Sequence, residues 1–190
     1  DSRLGLEILG QGSRYGASAV ASDEGIVANY ERATSFLTDA GIPRYEISNF
    51  ARPGHESLHN LKYWRMEPYL GFGVDAHSCD GTHRWGTPDE LEPYLRAVGD
   101  GHNPGRDLEP VRPIEEHFLT GLRLDAGLAL DPATLPPVLE QRIAALVSGA
   151  LVEWNDSRLR LTPRGLLVSN EVFEQFLGID AELLEKNPID

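Results

Sequence analysis

Three of the six histidines lie between residues 44 and 78, and two of them have a metal-binding spacing. The run His55-Glu-Ser-Leu-His59 matches H-E-x-x-H, in which two imidazoles on one helical face bind Zn²⁺ and the glutamate activates water. Two features argue against this interpretation. Pro53-Gly54 comes directly before the run, so only a first helical turn is available, and no clear third ligand follows. A zinc hydrolase therefore remains only as a hypothesis to exclude.

A second pattern overlaps the first. His59 and Tyr63 are four residues apart, so they share a face if the segment is helical. A neutral imidazole is a good ligand for haem iron, a tyrosine can add stacking or a hydrogen bond, and Asn60 could orient a ligand. Alternatively, the histidine caps a helix and Tyr63 packs beside Trp64. The residues by themselves favour this structural interpretation.

A glycine-rich run follows. Gly71-Phe-Gly73-Val-Asp-Ala76 fits the loose dinucleotide pattern G-x-G-x-x-A, which requires a helix to begin there. The chain continues instead into His77-Ser-Cys-Asp-Gly-Thr82, which does not propagate a helix, so a classical dinucleotide site is excluded. The two glycines either let the backbone approach a ligand closely or form a tight bend. Cys79 is predicted to be a buried structural thiol.

Composition excludes several classes of protein. The 190 residues carry a formal charge of −13, which argues against a nucleic-acid partner. No apolar run approaches the roughly 20 residues that cross a bilayer, and no signal peptide is visible. The single cysteine excludes an intrachain disulfide and favours a reducing, cytoplasmic location. The length suits one large domain or two small ones.

The first half of the chain has an α/β pattern. Residues 4–9 could form a short strand, and Ser22 begins an amphipathic helix that Gly41 and Pro43 end. Strands are predicted at 45–50 and 68–74, followed by a turn at Asp80-Gly81 and a helix over 88–98. The polar segment 99–105 is rich in breakers and is interpreted as a domain boundary.

The second half is predicted to be helix, helix, hairpin, helix, a winged-helix-like module over 109–178. Pro113 begins the first helix, Pro136-Pro137 opens the second, 151–161 forms the hairpin, and Thr162 caps the last helix. Residues 179–190 are predicted to be a frayed tail. A DNA-binding role is disfavoured, because the module has more acidic than basic residues and its second helix carries only Arg142. A structural or lid-like role is favoured.

Three motifs in this order resemble one known family: Tyr45-Glu-Ile-Ser-Asn-Phe-Ala-Arg-Pro-Gly54, His59-Asn-Leu-Lys-Tyr-Trp64 and Tyr69-Leu-Gly-Phe-Gly-Val-Asp-Ala-His-Ser78. The family is that of the radical S-adenosylmethionine (radical SAM) proteins related to oxygen-independent coproporphyrinogen III oxidase, in its haem chaperone branch. The run 161–167 resembles the last helix of the family's C-terminal domain. The resemblance extends from the start of the chain to about residue 178.

The resemblance implies a fold and a set of cofactors. The fold is a partial (β/α) barrel, of which residues 1–104 would be the distal part, then the HemN-type domain at 109–178 and the tail at 179–190. The implied cofactors are a [4Fe–4S] cluster and S-adenosylmethionine. The family's cluster-binding C-x-x-x-C-x-x-C loop is missing here, since Cys79 lies outside that motif. The chain is therefore expected to be the C-terminal part of a longer protein, and inactive as a radical enzyme alone.

The resemblance also implies site residues. The family's H-N-x-x-Y motif, associated with haem, falls on His59, Asn60 and Tyr63, with His59 as the candidate iron ligand, and this reverses the structural interpretation. Gly71, Gly73, Ala76 and His77 correspond to the border of the S-adenosylmethionine and substrate cavity. The implied function is haem delivery to haem-accepting proteins. The alternative is oxidative decarboxylation of coproporphyrinogen III.

Overall fold

The computed structural model describes residues 22–101 and 105–186. The predicted strand at 4–9 lies outside these ranges. The chain divides into two compact units, Asp1–Pro43 and Arg44–Asp190. Within the described ranges, no helix has both the length and the apolar character needed to cross a membrane.

The first unit contains the predicted helix, α1 (Asp23–Asp39), and its boundaries are confirmed. The side chain of Ser22 accepts a hydrogen bond from the Gly25 N–H, which satisfies one of the free donors of the first turn. Gly41 adopts φ +74°, and the backbone N–H of Ile42 reaches back to the carbonyl of Leu37 at 2.9 Å. This is the left-handed ending that glycine permits.

The second unit begins with a hairpin, and the prediction of one continuous strand at 45–50 is wrong. Strand β1 (Arg44–Glu46) turns at Ile47 and pairs antiparallel with β2 (Asn49–Phe50). The backbone N–H of Ile47 donates to the Arg123 carbonyl at 3.0 Å, and its side chain packs against the core of the C-terminal helices. The pull of Ile47 towards that core bends the chain, and Glu46 becomes fully buried.

A three-stranded antiparallel sheet follows. It consists of β3 (His77–Cys79), β4 (His83–Gly86) and β5 (Arg106–Pro110), with β4 in the centre. The turn predicted at Asp80-Gly81 joins β3 to β4, with Gly81 at φ +96°. Because β5 pairs with β4, the segment after the predicted linker returns to the same sheet. The predicted domain division between 104 and 109 stays a prediction.

The strand predicted at 68–74 does not form. Tyr69 alone pairs with β3, through reciprocal backbone hydrogen bonds with Cys79 of 2.8 and 2.9 Å. The residues after it form a loop, because Gly73 and Asp75 both have positive φ and cannot continue a ladder. Two helices flank these strands in sequence: α2 (Leu58–Trp64) before them and α3 (Leu91–Gly99) before β5. Helix α3 confirms the helix predicted after Pro88, although it begins at Leu91.

The predicted C-terminal elements are confirmed as far as the hairpin. They are α4 (Pro113–Gly121), α5 (Pro137–Ser148), β7 (Val152–Asn155) and β8 (Arg158–Leu161). A short strand between the two helices, β6 (Leu128–Ala129), was not predicted. Asp156 and Ser157 both have positive φ, as a two-residue hairpin turn requires. Strand β8 lies between β6 and β7. The core of this region is formed by buried apolar side chains: Phe118, Leu122, Leu128, Leu139, Ile143, Leu146, Val152, Leu159, Val172, Phe173, Phe176 and Ile179.

The single last helix predicted from Thr162 is broken into α6 (Pro163–Leu167) and α7 (Ser169–Glu174). Thr162 caps α6 as predicted, with its hydroxyl accepting from the Gly165 N–H at 3.0 Å. A Cβ on Gly165 would lie 1.8 Å from the Leu151 carbonyl oxygen, so α6 is pressed directly against that backbone. Val168, with φ −122° and ψ 34°, then redirects the chain, and Phe173 and Phe176 enter the core.

The frayed tail predicted at 179–190 is wrong for its first part, because Ile179–Lys186 form a helix, α8. Ile179 is completely buried. The Asp180 carboxylate accepts from the N–H groups of Ile114 and Glu115, at 3.2 and 2.7 Å, and so caps α4. The buried Glu115 carboxylate accepts in return from the Gly178 N–H at 2.6 Å. Each helix start is therefore capped by an acid from the other, across a sequence distance that local patterns do not reveal.

This reciprocal cap predicts a stability effect. We expect Asp180→Ala to lower the free energy of unfolding by about 1–2 kcal/mol, because two N–H groups at the start of α4 lose their acceptor. Glu174→Ala, an exposed acid on α7, is the matched control and should change stability little. Urea denaturation of both variants measures the difference. Equal midpoints for the two variants would contradict the role of Asp180.

The turn between β3 and β4 predicts a pH effect. The N–H groups of His83 and then Thr82 lower the pKa of the Asp80 carboxyl to about 2. The ordinary value is about 3.9, so the turn contributes stability above about pH 4 and loses it as the pH falls through the folded value. A carboxyl NMR titration should give this low midpoint. Thr82→Val should raise it, because the Thr82 hydroxyl also donates to Asp80, at 2.8 Å. A wild-type midpoint near 4 would refute the assignment.

Candidate functional site

Helix α2 carries the H-N-x-x-Y residues in its seven positions. Ser57 caps it, with its hydroxyl accepting from the Asn60 N–H at 3.3 Å. His59 lies in the first turn and is exposed, while Asn60 and Tyr63 are partly buried. The helix therefore presents an imidazole to the surface, and its capping serine fixes where the first turn begins.

His59 and Tyr63 are in contact, as a spacing of four on a helix predicts. Their ring centroids lie 4.9 Å apart at an interplanar angle of 87°, an edge-to-face arrangement. Tyr63 makes a second such contact with Tyr69, at 4.5 Å and 69°. Three rings thus run from the exposed imidazole towards the β3–β4 sheet. Asn60 contributes its backbone N–H to the helix cap.

The zinc hypothesis fails on geometry. His55 lies before the cap residue Ser57, so His55 and His59 do not share a helical face. The Glu56 carboxylate accepts from the Gly54 N–H at 3.2 Å and closes a local turn. Across 22–101 and 105–186, no three histidine, cysteine, aspartate or glutamate side chains are grouped so that they could hold a metal ion.

The glycine loop is explained in part by its own packing. A Cβ on Gly71 would lie 2.2 Å from the His77 carbonyl oxygen, so this position requires glycine for close approach of the chain to itself. Gly73 has φ +107°, and nothing lies within 4 Å of a Cβ built there. Thr87 holds the loop, because its hydroxyl donates to the Gly73 carbonyl at 2.5 Å and accepts from the Ala76 N–H at 2.9 Å.

The His77 side chain is exposed and packs over Gly86, where a Cβ would lie 3.4 Å from the imidazole Cε1. Beside it, an open cavity of about 530 Å³ has a polar lining. Three acids, Asp75, Asp89 and Glu109, contribute to this lining together with Arg84 and His77. The cavity has more acidic than basic groups, which suits a ligand with a positive charge.

A second cavity, of about 310 Å³, adjoins Tyr63. Tyr63 and Tyr69 line it together with the ion pair between Arg84 of β4 and Glu116 of α4. Burial raises the pKa of the Tyr69 hydroxyl, against the effect of the Arg84 charge. Cys79 also lines this cavity and is only 5% exposed, which agrees with the predicted buried thiol.

Arg123 is a site residue that no sequence motif marks. It follows α4, and its guanidinium carbon lies 4.4 Å from the centroid of the Trp64 ring, a cation–π contact. Phe173 of α7 lies on another side at 6.0 Å. Two local features of the sequence point to this contact. Trp64 directly follows Tyr63, and Arg123 directly follows Leu122, which is buried.

Comparison with protein families gives a match to the HemN C-terminal domain over residues 108–168. Among curated relatives, the haem chaperone HemW of Bacillus subtilis is 37% identical over 163 residues, which cover 78% of this chain and 42% of the relative. HemW of Synechocystis is 36% identical, covering 75% and 35%. HemW of Mycobacterium tuberculosis (strain H37Rv) is 32% identical, covering 87% and 43%.

Among solved structures, coproporphyrinogen III oxidase (HemN) from Escherichia coli, described as a radical SAM enzyme, superimposes with a TM-score of 0.63. It is 20% identical, and the match covers 84% of this chain and 42% of that one. The likeness confirms the predicted α/β fold class. The chain spans about two fifths of the length of the relatives it matches. It belongs to the family of radical SAM proteins that comprises the haem chaperone HemW and the oxygen-independent coproporphyrinogen III oxidase-like proteins.

Proposed function

We propose that this chain supplies the haem-binding surface of a haem chaperone, with His59 as the axial iron ligand. The observation that carries the proposal is the exposed imidazole on the first turn of α2, in edge contact with Tyr63 one turn later. An exposed imidazole can reach an iron atom without rearrangement of the fold. The relatives named haem chaperone HemW, at 32–37% identity, support the same function.

Asn60 and Tyr63 have supporting roles in this proposal. The backbone N–H of Asn60 donates to the hydroxyl of the cap residue Ser57, so this residue helps to fix the turn that carries His59. The Tyr63 ring meets the imidazole at 87° and restricts its rotation. A ligand whose orientation is already restricted loses less conformational entropy on binding. We therefore assign Asn60 and Tyr63 to orientation of the iron ligand.

Delivery of haem to acceptor proteins fits this surface better than permanent retention does. His59 and its neighbour Leu58, which is 76% exposed, are both accessible to solvent and hence to a second protein. A haem held on such a surface leaves one face of the macrocycle open to an acceptor. We place this function in the cytoplasm, in keeping with the single reduced thiol, Cys79.

Of the family's two other cofactors, S-adenosylmethionine fits the residues of this chain and the [4Fe–4S] cluster does not. The acidic cavity beside His77 suits S-adenosylmethionine, whose sulfonium and amino groups are positive, and Gly71, Gly73, Ala76 and His77 form the segment next to it. When bound with a reduced [4Fe–4S] cluster, this cofactor supplies radical chemistry. The cluster itself does not fit, because it needs several cysteine thiolates and this chain has one. We place the cluster ligands outside these 190 residues and derive no step through the cluster.

The alternative, oxidation of coproporphyrinogen III, has weaker support. The matching oxidase is 20% identical, which shows the fold and not the reaction. Helix α2 carries the H-N-x-x-Y pattern that marks the chaperone branch of the sequence resemblance. Haem binding is therefore the function to test first.

Haem titration tests His59. We expect the wild-type chain to give a Soret band that changes on ligation, and His59→Ala to bind haem about ten-fold or more weakly, because the iron loses its axial ligand. The matched control is His55→Ala, which removes an exposed histidine from the preceding loop. Identical spectra and affinities for wild type and His59→Ala would refute His59 as the ligand.

Cluster reconstitution tests the boundary of the site. Anaerobic incubation of the chain with iron and sulfide should yield no stoichiometric cluster, because one buried thiol cannot replace several accessible cysteines. Cys79→Ser should behave like wild type in this experiment. Iron and sulfide analysis measures the outcome. A cluster that is present in wild type and lost in Cys79→Ser would place a cluster ligand in this chain.

A further inference from the structure

We propose that Arg123 and Trp64 are positioning residues, through which the C-terminal helices hold α2 and thereby fix the direction of His59. This inference rests on the proposed haem-binding function and adds two residues outside the H-N-x-x-Y motif. It gives the HemN-type C-terminal region a task at the haem site.

Helix α2 is too short to be stable by itself. It has seven residues, and isolated helices shorter than about 12 residues are marginal in water. Leu61 is the one buried residue of this helix, and 8% of its surface is exposed. His59 lies in the exposed first turn, so the direction of its imidazole depends on what holds the other end. The last residue of the helix is Trp64.

Arg123 holds that end. Its guanidinium carbon lies 4.4 Å from the Trp64 ring centroid, and its Nε is buried without a hydrogen-bond partner among the described residues. The Trp64 Nε1 is likewise buried without one. These two nitrogen atoms at the contact are therefore shielded from water, which strengthens the electrostatic attraction between the cation and the ring. The Arg123 carbonyl also accepts from the Ile47 N–H at 3.0 Å, so its backbone is fixed.

A second connection between the same parts runs through the smaller cavity. Glu116 of α4 pairs with Arg84 of β4, and both residues line the cavity together with Tyr69. Tyr69 touches Tyr63, which in turn touches His59. Helix α4 and the residues directly after it thus reach α2 by two routes: at Trp64 through Arg123, and at Tyr63 through aromatic rings. A displacement of α4 would be passed to the imidazole by both.

The direct route is tested by the dependence of haem binding on His59 in two backgrounds. In the wild-type background, we expect His59→Ala to weaken haem binding about ten-fold. With Arg123→Met, we expect haem affinity to fall by a similar factor and His59→Ala to have no further effect, because the imidazole is no longer directed at the iron. Trp64→Leu should give the same pattern. Arg123→Lys, which keeps the cation, should restore most of the dependence on His59.

Arg164→Met is the matched control, since Arg164 is an exposed arginine of α6 in the same region. It should leave both affinity and the dependence on His59 unchanged. Hydrogen exchange of the haem-free chain is an independent readout. Amides of α2 should exchange faster in Arg123→Met, while those of the core helix α5 keep wild-type rates. This pattern distinguishes loss of positioning from general unfolding, which would accelerate both helices.

The outcomes separate the two proposals. If wild type binds haem with a dependence on His59 that Arg123→Met and Trp64→Leu leave intact, the positioning role is wrong and the haem site stands. If Arg123→Met also accelerates exchange throughout α5, Arg123 is a general stability residue and the positioning role is overturned. If wild type shows no haem binding that depends on His59, both proposals fall.

Discussion

The arginine after α4, Arg123, is a half-buried cation that contacts aromatic rings. Its guanidinium lies over Trp64 at 4.4 Å, with Phe173 at 6.0 Å. A cation–π contact contributes about 0.5–2 kcal/mol, with the larger values at sites shielded from water. Arg123 therefore joins the short helix that carries the histidine to the folded C-terminal region. This contact also explains why α2, which has only one buried residue, holds a fixed position in the fold.

The site is consequently built from local and distant parts. Ser57 sets the start of α2, and the sequence spacing brings His59 and Tyr63 onto one face. The partners of Trp64 and Tyr63 that hold the helix, Arg123 and Tyr69, come from later in the chain. The glycine loop has a similar division, since Thr87 and Ser78 determine its shape through hydrogen bonds from the neighbouring strands. The exposed imidazole and the acidic cavity beside His77 are thus held by residues that would not be recognised as site residues.

The sequence predicted those elements whose signals are local. Ser22, Thr162 and the prolines at 113 and 137 mark helix starts correctly, because a cap hydroxyl or a fixed φ acts within one turn. The strand at 45–50 was mispredicted because Ile47 is drawn to a core formed by residues more than seventy positions later. The last helix was mispredicted because Gly165 packs on the backbone of Leu151. The partners of Trp64 and Tyr69 could not be inferred for the same reason.

The paired acids of α4 and α8 have a consequence for synthesis of the protein. Asp180 caps a helix whose first residues were made 66 positions earlier. While the chain leaves the ribosome, α4 can form before Asp180 and Gly178 are available. The N–H groups of its first turn then lack the Asp180 carboxylate as acceptor, and the Glu115 carboxylate lacks the Gly178 N–H as donor. Contacts that close long segments form late. The C-terminal region therefore reaches its final fold only after α8 emerges. Until then it is incompletely folded, a state in which folding chaperones bind a nascent chain.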